Sequence, residues 1–533
     1  MSEALAHPSG SGTSGPPRPD TVVAVLAFAG IVVSLMQTLV IPLVPELPGY
    51  LGASASDTTW AITATLLAGA VATPVVGRLG DMYGKRRMLL ASLAMLVAGS
   101  AVCALSDSLV PMVVGRTLQG LSAGVIALGI SIMRDELPPE RLGGATAMMS
   151  ASLGIGAALG LPAAAFLADH ADWHLLFWTA AGFGVVAAVL VVTLVPESSV
   201  RTGGRFDLVG AAGLSAALLS LLLAISKGAD WGWASATTLA LFTVAVAVLL
   251  VWGRWELRAG QPLVDLRTTA RRQVLFTNLA SAVFGFSMFA MALVLPQLLQ
   301  LPKATGYGLG QSMMVVGLVM APNGLVMMAT APLSARISKI KGPKVTLMLG
   351  ALVVAAGYGL GVTMMSAIWQ LVLVSSVIGA GVGLAYGAMP SLVMGAVPVS
   401  ETAAANSLNT LMRSIGTSVS SAVAGVTLAR MTTTFGSVAL PSENAFRVVM
   451  AIGSGAALVA FGFAACLPRR SPLAGTPSTP VAGEPSTPAD TSEGSSAGTS
   501  ADTSAGTSAD TSADTSADTS AGTSAGTTVE TRP

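Results

Sequence analysis

Fourteen apolar stretches, each long enough to cross a bilayer, follow one another between residues 21 and 467. Few folds can accommodate such a run. A hydrocarbon core of about 30 Å takes roughly 20 helical residues. Inside it every main-chain N–H and C=O must find a partner within the protein. Composition points the same way, with 53% hydrophobic and only 10% charged residues against about 25% charged in soluble domains. A soluble globule of this length could not cover so much apolar surface with polar groups. The expected fold is an all-α polytopic membrane protein of 14 transmembrane helices.

An even number of crossings puts both ends of the chain on one side. Most of the 27 Lys and Arg residues lie on that side, including Lys85, Arg86, Arg87, Arg134, Arg141, the run from Arg254 to Arg272 and that from Arg336 to Lys344. By the positive-inside rule this face is cytoplasmic, and both termini with it. The Ser/Gly/Pro-rich segment 1–20 lacks the basic start and cleavage site of a signal peptide and reads as a disordered cytosolic N-terminus. Segment 468–533 repeats Thr-Ser-Ala-Asp/Gly with almost no apolar bulk and reads as a disordered, low-complexity cytosolic tail. A net charge of +1 without a basic, aromatic-interleaved run gives no sign of nucleic-acid binding. Cys103 and Cys466 sit in or beside apolar segments, which argues against a disulfide or metal framework.

The chain also repeats itself. A shift of 258 positions brings Pro74 onto Pro332, Arg78 onto Arg336, Leu79 onto Ile337, Gly84 onto Gly342 and Arg86 onto Lys344. The halves are 21–195 and 256–467, each a six-helix bundle, with an inserted helix pair in 196–255. Parallel repeats around a central cavity are a transporter architecture, with substrate held near the midplane between halves.

Residues 77–87 read Gly-Arg-Leu-Gly-Asp-Met-Tyr-Gly-Lys-Arg-Arg. This resembles the signature loop between the second and third helices of the major facilitator superfamily, with Met82 departing from the usual basic residue. Gly77, Asp81, Gly84, Lys85 and Arg86 fit the pattern, and the resemblance implies a conformational latch there. The glycines permit a tight turn, and Asp81 can meet a helix N-terminus or a cation. The fourth span reads Arg116-Thr-Leu-Gln-Gly-Leu-Ser-Ala-Gly, similar to a second motif of that superfamily. A guanidinium at such depth costs about 2.5 to 3.5 kcal/mol even on the lenient insertion scale, which marks a functional site. The resemblance assigns Arg116 to proton coupling and substrate binding. Gly156, Gly160 and Pro162 in the fifth span are similar to a degenerate form of the motif of antiporting members, and Asp172-Trp173-His174 before the sixth completes a likeness to the fourteen-helix drug:proton antiporter branch.

One departure bears on mechanism. Where that branch carries an aspartate in the first helix, this chain reads Met36-Gln37-Thr38, and no Asp or Glu lies in the middle of any span. Arginine cannot change protonation at physiological pH. Proton coupling would then fall to peripheral groups, with Glu46 and Asp57 as candidates beside Asp81 and His174. Helices that line the superfamily's cleft, carried past the inserted pair, give the substrate-binding and coupling candidates Gln37, Arg116, Gln119, Asn278, Gln297, Asn323, Tyr386, Asn409 and Arg413. Each amide could equally bond a neighbouring helix.

The resemblance implies a plasma (inner) membrane efflux protein of the multidrug and antibiotic resistance type. It would be a secondary active antiporter of amphipathic drugs or secreted metabolites, driven by a proton gradient without a cofactor, and monomeric. With two deep arginines and no deep acid, neutral or anionic substrates are favoured. Rival readings are uptake by symport or uniport, and a non-transporting membrane sensor on the same fold. No nucleotide loop, metal-binding cluster or nucleophile–base set is present to support an enzyme.

Overall fold

A computed structural model describes residues 19–40, 43, 46–198, 200–435 and 438–468. The expectations for residues 1–18 and 469–533 lie outside the described residues. Fourteen long helices follow in order. They are α1 (Pro19–Thr38), α2 (Trp60–Tyr83), α3 (Lys85–Ala104), α4 (Leu109–Glu136), α5 (Pro139–His170), α6 (His174–Leu194), α7 (Leu208–Trp231) and α8 (Ala236–Glu256). After these come α9 (Arg272–Gln300), α10 (Met313–Lys341), α11 (Pro343–Thr363), α12 (Ile368–Met394), α13 (Thr402–Arg430) and α14 (Glu443–Ala465). Thirteen of them are long and apolar enough to cross a membrane. The exception is α13, 29 residues long but polar, and its polar residues Asn406, Ser407, Asn409, Ser418 and Ser420 are buried rather than turned outward.

Helix starts are set where short polar side chains satisfy orphan amides. Asp207 accepts from the Gly210 amide at 2.8 Å ahead of α7, and Ser442 from that of Ala445 at 3.2 Å ahead of α14. The α2–α3 and α10–α11 corners turn on Gly84 and Gly342, whose φ angles of 120° and 88° are open to glycine and costly for other residues. These glycines coincide under the 258-residue shift. The halves pack alike as well. In the first, α1 packs on α5, α2 on α4, and α3 on α4 and α6. In the second, α9 packs on α13, α10 on α12, and α11 on α12 and α14.

Membrane helices associate through close packing rather than hydrophobic drive, so small residues sit at the crossings. A methyl group on Gly285 would fall 3.0 Å from the Arg413 side chain, and one on Gly416 would fall 2.7 Å from the Ala282 carbonyl carbon, which fixes α9 against α13. The halves meet along two seams, α2 and α4 against α13, and α5 against α10 and α12. Helix α7 packs on α8 and lies across the first seam, where Leu214, Leu218 and Leu222 join Leu67 and Ala70 of α2 and Leu408 and Leu411 of α13. Helix α8 is barely buried. Strands β1 (Thr432–Phe435) and β2 (Val438–Pro441) form an antiparallel hairpin between α13 and α14, pairing Thr432 with Pro441 and Phe435 with Val438.

Candidate functional site

The last turn of α2 carries Asp81 against the first turn of α13. Its carboxylate accepts from the Ala403 amide at 3.2 Å and the Ala404 amide at 2.8 Å, two N–H groups that the helix cannot use itself and that lie at its positive end. Gly77 makes the approach possible, because a methyl group there would overlap the Ser407 side chain and come within 2.9 Å of the Ala403 carbonyl oxygen. Around this clasp, Arg134 of α4 donates to the Thr402 hydroxyl at 2.6 Å and to the Val397 carbonyl at 3.1 Å. Thr202 donates its amide to the Asp81 carbonyl at 2.7 Å and its hydroxyl to the Ser400 carbonyl at 2.6 Å. Lys85 is fully buried, with its ammonium 2.6 Å from Asp135 and 3.8 Å from Asp81. Ser198 donates to the same Asp135 oxygen at 2.5 Å. Of the other loop residues, Gly84 faces Glu197 and Arg86 donates to the Val192 carbonyl, so both bear on α6 and the segment after it.

In the first half, Arg116 is buried and reaches three elements. It donates to the Ala61 carbonyl at 3.0 Å, the Met36 carbonyl at 3.3 Å and the Gln119 side-chain oxygen at 2.6 Å. Gln119 passes the chain on to the Ser100 hydroxyl at 2.8 Å, and Thr65 donates to the Arg116 carbonyl at 3.0 Å. Helices α1 to α4 are thereby joined around one cation, which has no carboxylate partner among the described residues.

In the second half, Asn409 donates to the Asn278 side-chain oxygen at 2.9 Å, while the amide nitrogen of Asn278 is buried with no partner among the described residues. Ser281 donates to the Asn409 carbonyl at 3.0 Å. One turn along α13, the Arg413 guanidinium lies 5.0 Å over the centre of the Tyr386 ring, which in turn meets Phe284 edge-on at 6.4 Å. A cation over a ring face gains about 0.5 to 2 kcal/mol, and no acid pairs with Arg413 among the described residues. The structure thus brings Asn278, Tyr386, Asn409 and Arg413 together and sets Arg116 with Gln119 in the other half. Gln37 and Gln297 are exposed, and Asn323 is half-buried against Gly379 of α12, so none of these three joins either cluster by a hydrogen bond.

The profile of the Major Facilitator Superfamily matches residues 26–421 and, in a second overlapping match, 279–497. The chain belongs to the major facilitator superfamily. It is 30% identical over 435 residues to the probable actinorhodin transporter of Streptomyces coelicolor, covering 78% of this chain and 74% of that one. It is 29% identical over 439 residues to the tetracenomycin C resistance and export protein of Streptomyces glaucescens, covering 80% and 78%. An uncharacterised transporter of the superfamily from Mycobacterium tuberculosis is 29% identical over 77% of this chain, which spans 59% of that relative's length. Among solved structures, the human organic anion transporter MFSD10 shares the fold with a TM-score of 0.59 at 18% identity, over 84% of this chain and 100% of that one. The chain is thus a multi-pass membrane protein of the superfamily, similar to members named for antibiotic transport, resistance and export.

In this superfamily fold, α5 serves two neighbours. Gly156 and Gly160 face Ser34, Leu35 and Thr38 of α1, so they bind the first half together. Gly154 and Pro162 face Gly324 and Gly317 of α10 in the second half, with a methyl group on Gly317 falling 3.0 Å from the Pro162 nitrogen. The peripheral acids lie elsewhere. Tyr50 donates to Glu46, and Asp57 accepts from the Ser54 hydroxyl at 2.7 Å. His174 stands 2.5 Å from Asp172 and 3.4 Å from Asp107, with the Trp173 ring tilted against it at a centroid distance of 3.8 Å. The His174 amide, and then its ring, hydrogen-bond the exposed Asp172 carboxyl and hold it below the usual carboxylate range. Glu256, at the end of α8, is the acid that sequence reasoning missed. It is nearly fully buried, yet it stands between Arg254 and Arg258 and reads as one more interfacial charge.

Proposed function

We propose that this protein is a monomeric secondary active transporter that exports amphipathic small molecules across the plasma (inner) membrane in exchange for protons, with its basic face and both termini in the cytoplasm. The observation that carries this reading is the Asp81 clasp on α13. It shuts the basic end of a two-bundle molecule through a few hydrogen bonds between halves, which is the kind of contact that alternating access makes and breaks. Export rather than uptake is supported by the relatives named for export and resistance. The proton-carrying group is sought among Asp81, Glu46, Asp57 and His174, since arginine cannot cycle its proton.

Substrate charge follows from the two clusters. A lipophilic cation calls for a carboxylate or an open aromatic cage, whereas Arg116 and Arg413 are cationic and the ring of Tyr386 is already occupied by Arg413. Neutral or anionic compounds are therefore preferred. In everted vesicles under an imposed pH gradient, weak-acid compounds are expected to outcompete a quaternary ammonium dye of similar size. Arg413→Gln is expected to lower transport of the weak acid about tenfold, equivalent to ~1.4 kcal/mol, and to leave an uncharged compound near its original rate. Strong gradient-driven transport of the permanent cation would refute the charge preference, and no gradient-driven flux of any compound would refute export by antiport.

Orientation has its own test. In a background lacking Cys103 and Cys466, Ser338→Cys is expected to resist an impermeant thiol reagent in intact cells and to react once the membrane is opened. Ser442→Cys, before α14, is expected to react in intact cells. Ser199, the other cytoplasmic position by the same reasoning, lies outside the described residues. Labelling of Ser338→Cys from outside would reverse the orientation.

A further inference from the structure

Helix α10 is longer than the hydrocarbon layer it crosses. It runs for 29 residues, Met313–Lys341, and holds no acidic residue. At about 1.5 Å per residue it reaches about 43 Å, against about 30 Å of hydrocarbon and about 40 to 45 Å once the headgroup layers are counted. Measured from Met313, Leu333 lies about 30 Å along and Arg336 to Ile340 about 35 to 40 Å. Leu333 therefore sits at the edge of the acyl chains, and the residues after it at the depth of lipid phosphates on the basic side of the molecule.

The last turns of α10 have two unlike faces. Ala331 and Ser334 are buried, Ala335 packs with Ala147 and Ala151 of α5, Ser334 donates to the Leu384 carbonyl of α12 at 2.8 Å, and the Ser338 hydroxyl meets that of Thr346 of α11 at 2.8 Å. Small side chains thus seat this face in the bundle. On the other face Leu333, Arg336 and Ile340 line up by three- and four-residue spacing, with Lys339 beside them. Leu333 is 47% exposed and Ile340 70%, and Arg336, Lys339 and Lys341 are exposed with them. None of these three cations makes a hydrogen bond or an ion pair among the described residues. The helices packed against these turns are α5, α11 and α12. Helices α11 and α12 carry no acid, and Lys344 of α11 is already bonded to the Ala465 and Leu467 carbonyls. On α5, Arg141 pairs with Asp20 at 3.1 Å, and Glu140 is exposed without an ion pair to any of the three.

The internal repeat gives these positions a counterpart. Under the 258-residue shift Arg336 falls on Arg78 and Lys339 on Asp81. In the first half both are buried, and Asp81 takes the amides that open α13. In the second half the carboxylate is replaced by an ammonium, which the positive start of a helix repels, and the same turn stays open to the surface. We propose that this arc binds an anionic phospholipid of the adjoining leaflet, its phosphate held between Arg336 and Lys339 and an acyl chain laid along Leu333. A guanidinium forks onto two phosphate oxygens, and clustered basic side chains at a membrane surface draw anionic lipid. A zwitterionic lipid brings the same phosphate together with an ammonium, for which α10 has no acid. The lipid site does not rest on the transport reading.

The test is lipid binding to the purified full chain, read by native mass spectrometry during titration with phosphatidylglycerol or with phosphatidylcholine of identical acyl chains. Phosphatidylglycerol is expected to bind at least about tenfold more tightly, a difference of ~1.4 kcal/mol. In Arg336→Gln/Lys339→Gln it is expected to fall to the level of phosphatidylcholine. Arg254→Gln/Arg258→Gln removes the same charge from exposed residues around the end of α8 and is expected to keep the parent affinity. Equal binding of the two lipids to the unaltered chain overturns the proposal without recourse to any variant. An equal loss in the two double variants overturns it as well, since the attraction would then belong to the whole basic face. Glycerol 1-phosphate is expected not to displace the lipid, and displacement at matched concentration would give the site to a soluble phosphate instead. None of these readings uses transport, so failure here is distinct from failure of the export reading.

Discussion

Replacing Lys85 with methionine is expected to destabilise the protein by about 3 to 5 kcal/mol, because it strands the buried carboxylate of Asp135. Lysine is fully enclosed at this position, and it answers Asp135 at 2.6 Å and Asp81 at 3.8 Å. One Asp135 oxygen already lacks a partner, so the remaining Ser198 hydroxyl cannot make good the loss. Unfolding in mixed micelles titrated with sodium dodecyl sulfate would measure the effect. The double variant Lys85→Met/Asp135→Leu is expected to recover more than half of the lost stability, since breaking a buried pair costs more than removing it. A single variant as stable as the parent would mean that water reaches Asp135.

The second large effect is at Arg116. Arg116→Ala is expected to cut transport at least about 100-fold, ~2.7 kcal/mol of lost stabilisation, while the chain still inserts at normal levels. The guanidinium caps the Met36 carbonyl in the last turn of α1, where a helix leaves its carbonyls unanswered, and reaches α2 and Gln119 at the same time. Arg116→Lys is expected to restore less than a tenth of the rate, because a single ammonium cannot span three acceptors set in a fork. The assay is gradient-driven flux in everted vesicles, normalised to protein in the membrane. A parental rate in Arg116→Ala would reduce this residue to a packing element.

Reading these residues in sequence succeeds where one stretch contains its own answer. The apolar runs give the fold, and Gly84 and Gly342, the positions that coincide under the internal shift, both hold the φ that only glycine adopts freely. Helix α13 is legible as a span despite its polarity, because its amides and hydroxyls share a stretch with Leu408, Leu411 and Leu428. What is not legible is any partner supplied by distant backbone. Asp81 finds its donors 322 and 323 residues away, and Arg116 is answered by main-chain carbonyls that every residue carries. Composition likewise cannot set helix phase, so Gln37 and Gln297 read alike with Asn278 and Asn409, although the first pair is exposed and the second buried. The hairpin at Thr432–Pro441 has no counterpart in the sequence reading, which carries that stretch only as the connection between two spans.

Helix α7, lying across the α2–α13 seam, makes the two flanks of the molecule unlike. On its side, leucine packed on leucine leaves acyl chains no crevice to enter. On the other flank, where α5 meets α10, Leu159, Phe166, Leu318 and Leu325 stand exposed, and the backbones touch through Gly154 and Gly324. A compound already dissolved in the bilayer, drifting sideways toward the protein, therefore finds one wall panelled over and one bare joint. For such a molecule the fourteen-helix design has a front and a back, where a symmetric twelve-helix one would have neither.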